Sequence, residues 1–421
     1  MLYHRVDGVC KPGRSAVIMN GMGYLCLRIF LILFLLLTGC VQRTLPVWFS
    51  KVHGRSTPLG PEEIFRLPEG DLISFAELLE NLEGTIVIFV GESHDQGTQH
   101  LNQLRILQGL QERGREVAVA MEMFERSQQP ILDRWSQGLL TEEAFLKDVD
   151  WENTWGFDYS LYKGILDEVK GRRLKLLGLN VSRDLVRKVA EKGISGLSPE
   201  DRQKLPEMDL SDPYHRAYIN RIYTGHRGGS AKDFERFYEA QCLWDEGMAE
   251  ALSDFLRSPE GQEKTVVVFA GNGHVVFDFG IPQRFYRRTP HPFKTVVQLE
   301  WEKDLLEEVL LTEAPRPLAN FLWLTNPVPS EKKRPRIGIV FKPKDGTPGL
   351  VIDRVIPASP AEKAGLLPRD RLLSVEGKDI AEVKEIHEIL SRKGWGSEIT
   401  LTLDRQGSVK EMKVTLPPRM D

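Results

Sequence analysis

The chain has 421 residues, 41% of them apolar and 28% charged, with 36 Gly and 25 Pro. That length implies two or three domains, and the apolar share supplies a large core, which excludes a disordered chain. The net charge of −4 is an average: residues 1–40 carry four Lys/Arg against one Asp, residues 331–421 carry 18 Lys/Arg against 14 Asp/Glu, and the middle is left at −11. An acidic middle excludes nucleic acid as a partner of the largest part, because phosphate binding needs clustered positive charge.

Ile29–Leu37 is an unbroken apolar run behind Arg28. A spanning helix needs about 20 apolar residues, so the run reads as the core of a signal peptide. It ends in Leu37-Thr38-Gly39-Cys40, which resembles a bacterial lipobox. The resemblance implies a lipoprotein signal peptide over 1–39 and acylation of Cys40, which would anchor the chain in a lipid membrane. Val41, in place of Asp, implies the outer membrane, facing the periplasm. Met19 and Met22 are alternative starts. Removal of Cys10 and Cys26 leaves Cys242 as the one unmodified thiol, so no internal disulfide forms. No CxxC is present, which excludes a thiolate zinc site.

Residues 40–69 are polar and Pro-punctuated, as in a tether. Over 70–326 short aliphatic runs alternate with amphipathic segments. The runs are Thr85–Val90, Val117–Met121, Leu174–Leu179 and Val266–Ala270, each short enough for a strand buried on both faces. Helices are predicted over Gln99–Arg113, Ser160–Gly171 and Lys232–Ser253. Strand–helix alternation predicts an α/β fold, a mostly parallel sheet with flanking helices. Residues 193–231 break the rhythm. Ser198-Pro199 starts a helix there, and the segment reads as a lid, a small helical subdomain or a solvated excursion. Prolines then mark a linker at 327–333.

Ligands of open parallel sheets bind beyond the carboxyl ends of the strands. The four runs end in Gly91-Glu92-Ser93-His94-Asp95, Glu122-Met-Phe-Glu125, Gly178-Leu-Asn180 and Gly271-Asn-Gly-His274. One edge therefore collects two histidines, several carboxylates and an amide. On the helix that follows the insertion, Gln241 and Asp245 interrupt an otherwise apolar face. A buried acid needs a partner, so Asp245 meets a cation or reaches the same cleft.

These motifs, in this order and together with Trp155-Gly-Phe-Asp-Tyr159, resemble the ChaN family of haem-binding, iron-linked lipoproteins within the Tiki and erythromycin-esterase-like superfamily. The resemblance covers about 70–325. It implies haem as the preferred cofactor, held among His94, His274, Asn180, Gln241, Asp245, Tyr159 and Trp155, for iron acquisition. The superfamily also contains metal-dependent hydrolases, which implies an alternative. There Glu92, His94 and His274 would bind a divalent metal such as zinc or manganese, and Glu92, His94, Glu122 and His274 would act on a peptide or ester bond.

Residues 334–418 resemble a bacterial-type PDZ domain, a small β-barrel or sandwich with helices. The motifs are Arg336-Ile-Gly-Ile339, Gly349–Val355, Pro357–Leu366, Asp370–Gly377 and a helix near Val383–Lys393. The resemblance implies that Arg336, Ile337, Gly338 and Ile339 receive the C-terminus of a peptide or protein, by backbone N–H groups and strand addition. Ile386 and Leu390 would wall its side-chain pocket, while His387 reads as exposed helix. A PDZ scaffold with a degenerate first domain is a third alternative.

Overall fold

The computed structural model describes residues 51, 63–227, 231–301, 316–326, 335–341, 348–356 and 359–418. The signal segment, Cys40 and the linker at 327–333 lie outside the described residues. Among those described, no helix is long and apolar enough to cross a membrane.

The larger sheet contains β1 (Ile64–Arg66), β2 (Asp71–Ile73), β3 (Val87–Glu92), β4 (Val117–Glu125), β5 (Lys175–Asn180), β6 (Thr265–Gly271), β7 (Phe293–Glu300) and β8 (Phe321–Thr325). Its order is β2-β1-β8-β7-β3-β6-β4-β5. The six strands from β8 to β5 run parallel, while β1 and β2 add an antiparallel edge. Four strands fall where the aliphatic runs predict them. The sequence reading places Ile64–Arg66 in the tether; the structure corrects this, since β1 pairs with β8 and its Ile64 and Phe65 are buried.

Successive strand residues point to opposite faces, and both faces are apolar. Val87, Phe89, Val266 and Val268 enter one core, and Ile88, Val90, Val267 and Phe269 the other. Register then aligns the strand ends. Gly91 lies opposite Ala270 and Glu92 opposite Gly271, while Met121 pairs with Phe269. A bulge follows Met121, before Glu125 pairs with Asn180. Gly178 permits it, because a Cβ there would lie 2.4 Å from the Glu125 carbonyl oxygen. The free edge of β5 is blunted by Gln129, whose side chain donates to the Leu176 carbonyl at 2.7 Å and accepts from Gly178 N at 3.2 Å.

The insertion is a packed helical subdomain. Ser198 caps the helix Pro199–Arg202, accepting from Asp201 N at 3.1 Å. Tyr218 and Ile219, on the helix Pro213–Arg227, join the core beneath the helix Ala231–Arg257. The loop before the helix Pro213–Arg227 is clamped by Glu246, a buried carboxylate that accepts from Asp209 N at 2.9 Å and meets Arg284, Arg287 and Arg288. A buried carboxylate needs such partners. This loop is therefore fixed rather than a solvated excursion.

The C-terminal domain is an antiparallel sheet of β9 (Ile339–Phe341), β10 (Leu350–Val355), β11 (Arg371–Val375), β12 (Lys378–Asp379), β13 (Glu398–Arg405) and β14 (Ser408–Thr415). The order is β14-β13-β11-β10-β9, with β12 on β11. The helix Val383–Lys393 covers it, and Ile352, Leu372, Ile386, Leu390, Ile399 and Leu401 form its core.

Candidate functional site

The carboxyl edge of the parallel sheet carries two polar networks. The first centres on Glu92, whose side chain is fully buried. One carboxylate oxygen, Oε1, lies 2.9 Å from His94 Nδ1 and accepts from the Tyr162 hydroxyl at 2.7 Å. The other, Oε2, accepts from Gln103 Nε2 at 2.8 Å and lies 3.4 Å from His100 Nδ1. Burial alone would keep Glu92 protonated, but the charges and hydrogen bonds of His100 and His94 outweigh it. The carboxyl is held well below its ordinary range. Burial likewise opposes the charged form of His94, and Glu92 and Glu122 reverse that, raising the imidazole above its usual value.

His94 differs from its partners in being partly open, with its side chain 26% exposed. Trp155 and Phe157 flank the ring at centroid distances of 4.8 and 5.1 Å. Its Nδ1 is engaged by Glu92, whereas its Nε2 has no hydrogen bond among the described residues. Space beside Nε2 is kept by Gly271, where a Cβ would come within 2.9 Å of that nitrogen. An imidazole with one nitrogen anchored to a carboxylate and the other open, against aromatic walls, is a donor suited to haem iron. The residues present fit that group.

The second network centres on His274. Its Nδ1 lies 2.6 Å from Asp245 Oδ1 and its Nε2 3.4 Å from Glu122 Oε1. Glu122 also accepts from Gly271 N at 2.7 Å. Burial would depress the imidazole, yet Glu122 and Asp245 together push it up to about 10. His274 is thus a buried cation between two acids, with both nitrogens engaged. The two nitrogens expected to serve haem, a metal or base chemistry are thus engaged within the protein. Behind it His215 is fully buried 3.6 Å from the other Asp245 oxygen. Burial pushes His215 down to about 4, against the pull of Asp245 and with the help of Arg284.

The remaining predicted residues separate. Asn180 is structural: its amide donates to the Glu122 carbonyl at 3.1 Å and its oxygen accepts from Val181 N at 2.9 Å. The Gln241 amide lies 3.2 Å from His274 Nδ1. Tyr159 meets Trp151 edge-on rather than either histidine. Its hydroxyl is buried with no hydrogen-bond partner among the described residues. Among those residues, no group of three or more His, Cys, Asp or Glu could hold a metal ion. The expected set of Glu92, His94 and His274 fails because Glu92 and His274 each have both polar atoms committed inside separate networks.

Sequence reasoning missed His100, Gln103 and the role of Tyr162. The signal was present in the helix Gly97–Glu112, which buries Gln99, His100, Asn102 and Gln103 on its inward face. Polar residues at that spacing on a covered face mark a network rather than a solvated surface.

In the C-terminal domain Gly338 has φ +83°, and a Cβ there would lie 2.2 Å from Ser359 Cβ. Its carbonyl accepts from Ile356 N at 2.9 Å, and that of Ile337 from Ala361 N at 2.8 Å. These bonds hold the Arg336–Ile339 turn, with Arg336 exposed, beside β9 at the sheet's open edge. Ile386 and Leu390 are each only 2% exposed. They belong to the core cluster of this domain. His387, expected to be exposed, is half-buried.

Residues 78–285 match the family model described as haem-binding uptake, Tiki superfamily, ChaN, and residues 335–416 match that of the PDZ domain. A solved structure described as cofacial heme binding to ChaN of Campylobacter jejuni is similar at 20% identity and a TM-score of 0.49, covering 63% of this chain and 98% of that one. The protein RETICULATA-RELATED 5, chloroplastic, of Arabidopsis thaliana is 23% identical over 266 residues, 58% of this chain and 34% of its own length. A probable periplasmic serine protease do/HhoA-like of Haemophilus influenzae is 37% identical over 68 residues, 16% of this chain and 15% of its own length. The chain therefore spans well under half the length of these curated relatives. Residues 78–285 thus form a domain similar to the ChaN family of haem-binding uptake proteins in the Tiki superfamily, and residues 335–416 form a PDZ domain.

Proposed function

We propose that this protein is a lipoprotein, anchored through Cys40 to the outer membrane and facing the periplasm, that binds haem for iron acquisition and recruits a protein C-terminus through its PDZ domain. The observation that carries the haem reading is His94: Nδ1 anchored on a buried carboxylate, Nε2 open, and Trp155 and Phe157 at its flanks. Haem would supply an iron centre with an open coordination position. The chain's own residues do the rest. Glu92 orients the imidazole, the two aromatic rings offer apolar surface to a macrocycle, and Gly271 leaves room beside the donor nitrogen. The family match over residues 78–285 supports the same reading.

The hydrolase alternative gains no such support, since its histidine at 274 is held as a cation and its metal set is divided. Hemin titration of the purified protein, followed by its Soret absorbance, tests the proposal. A saturable shift supports it and a linear, unsaturable rise opposes it.

A further inference from the structure

The helix Val383–Lys393 buries Ile386, Ile389 and Leu390 in the core of the C-terminal domain. At roughly 100° per residue these three form one stripe, and the residues beside it make two flanks. One flank is occupied. Glu385 accepts from Ala381 N and Glu382 N at 2.7 and 3.0 Å and meets Lys378 of β12 at 3.4 Å. The other flank carries Val383 and His387, one turn apart and both half-buried. Val383 packs on the same core as Ile339 and Phe341, which share one face of β9, the edge strand of the sheet.

We propose that Val383 and His387 wall the groove beside β9, and that His387 makes the domain select a protein C-terminus whose helix-facing side chain is acidic. The inference rests on the reading of this domain as a binder of C-termini. A segment added to β9 as a further strand turns alternate side chains toward the helix. Ile339, Phe341 and Val383 offer it apolar surface, and His387 brings a hydrogen-bond donor, since an imidazole keeps an N–H in either protonation state. A carboxylate is the strongest acceptor a side chain can present to that donor. The surrounding charge favours the same group. Residues 331–421 carry 18 Lys/Arg against 14 Asp/Glu. Arg336 is exposed at the turn before β9, and Arg354 is exposed opposite Val340. Val383 stands in the first turn of the helix, where the dipole favours negative charge. Of the acids on or beside this helix, Glu385 is committed to the other flank, and Glu382 and Glu388 are exposed.

A display library of short peptides with free C-termini, randomised at their last positions and panned on the purified protein, begins the test. Asp or Glu should be enriched at one of those positions. Fluorescence anisotropy then compares an enriched peptide with its counterpart in which the acid is replaced by the matching amide, and with the same peptide blocked at its C-terminal carboxylate. In the wild type the acidic peptide should bind about tenfold more tightly than the neutral one. His387→Ala should abolish that difference while leaving the neutral peptide's affinity unchanged, a split that a purely structural role would not produce. His387→Arg should restore the preference. Circular dichroism keeps unfolded variants out of the comparison. Enrichment without an acidic residue, or an acidic preference that persists in His387→Ala, would overturn the proposal and leave peptide capture standing. If no peptide with a free carboxylate binds more tightly than its blocked form, the reading of the domain as a binder of C-termini fails, and the selectivity with it.

Discussion

Gly271 shows how closely the site depends on single atoms. Its amide donates to Glu122, and its missing side chain keeps clear the space beside His94, where a Cβ would fall 2.8 Å from Cε1. Gly271→Ala must displace the imidazole. Hemin affinity should fall about tenfold or more, with little change in circular dichroism, and equal affinity in the variant would count against His94 as the donor. Asp278 makes a different point. It sits at φ +59°, with burial pushing its carboxyl up to about 6 against the opposing influence of Arg316 and Thr295. A raised acid contributes stability below its unfolded value near 3.8, and that contribution is lost as pH rises through about 6. At pH 8 the ionised form therefore costs stability, on the order of 3 kcal/mol by the size of the shift. Asn tolerates the same backbone conformation. Asp278→Asn should raise the urea midpoint at pH 8 by roughly 1–3 kcal/mol equivalent and give no advantage at pH 4.

Elements differ in how far they were legible. β3, β4, β5 and β6 announce themselves because strands buried on both faces read as continuous apolar runs. β7 was hidden by Lys294 and Gln298; the latter is buried, donating to the Gly91 and Gln99 carbonyls at 3.0 and 3.1 Å. β1 has only three residues and takes its identity from pairing with β8. At the site, the motifs at the strand ends were visible, but the division of labour between His94 and His274 was not. Both histidines follow Gly-flanked strand ends, and only tertiary neighbours leave one partly open and set the other between two acids. Tyr162, His100 and Gln103 come from helices whose facing directions no strand motif specifies. The insertion offers a test at this scale. Glu246 is its clamp, so Glu246→Ala leaves buried arginine charge uncompensated and should cost about 3–5 kcal/mol in urea unfolding, with faster proteolysis near residue 209. A loss below 1 kcal/mol would show the clamp to be dispensable. In the PDZ domain, Gly338→Ala places a methyl into Ser359 at a left-handed φ. Strain of roughly 1–3 kcal/mol and weakened capture of a C-terminal peptide are expected, measurable by fluorescence anisotropy. Unaltered peptide affinity would remove the turn from the ligand site.

Over the whole molecule, the net charge of −4 averages over two unlike domains. The acidic middle contains the ChaN-type domain, and the positively charged C-terminal region contains the PDZ domain. The sequence suggested two histidines sharing one cofactor or metal. The structure instead places His94, partly open, beside aromatic walls, and a buried triad of Asp245, His274 and Glu122 behind it. Hemin titration of three proteins, each followed at the Soret band, separates the roles of the two histidines: wild type, His94→Ala and His274→Gln. A saturable shift is expected in the wild type, a changed spectrum with about 10-fold or greater loss of affinity in His94→Ala, and a wild-type spectrum in His274→Gln. Wild-type spectrum and affinity in His94→Ala would contradict that division of roles.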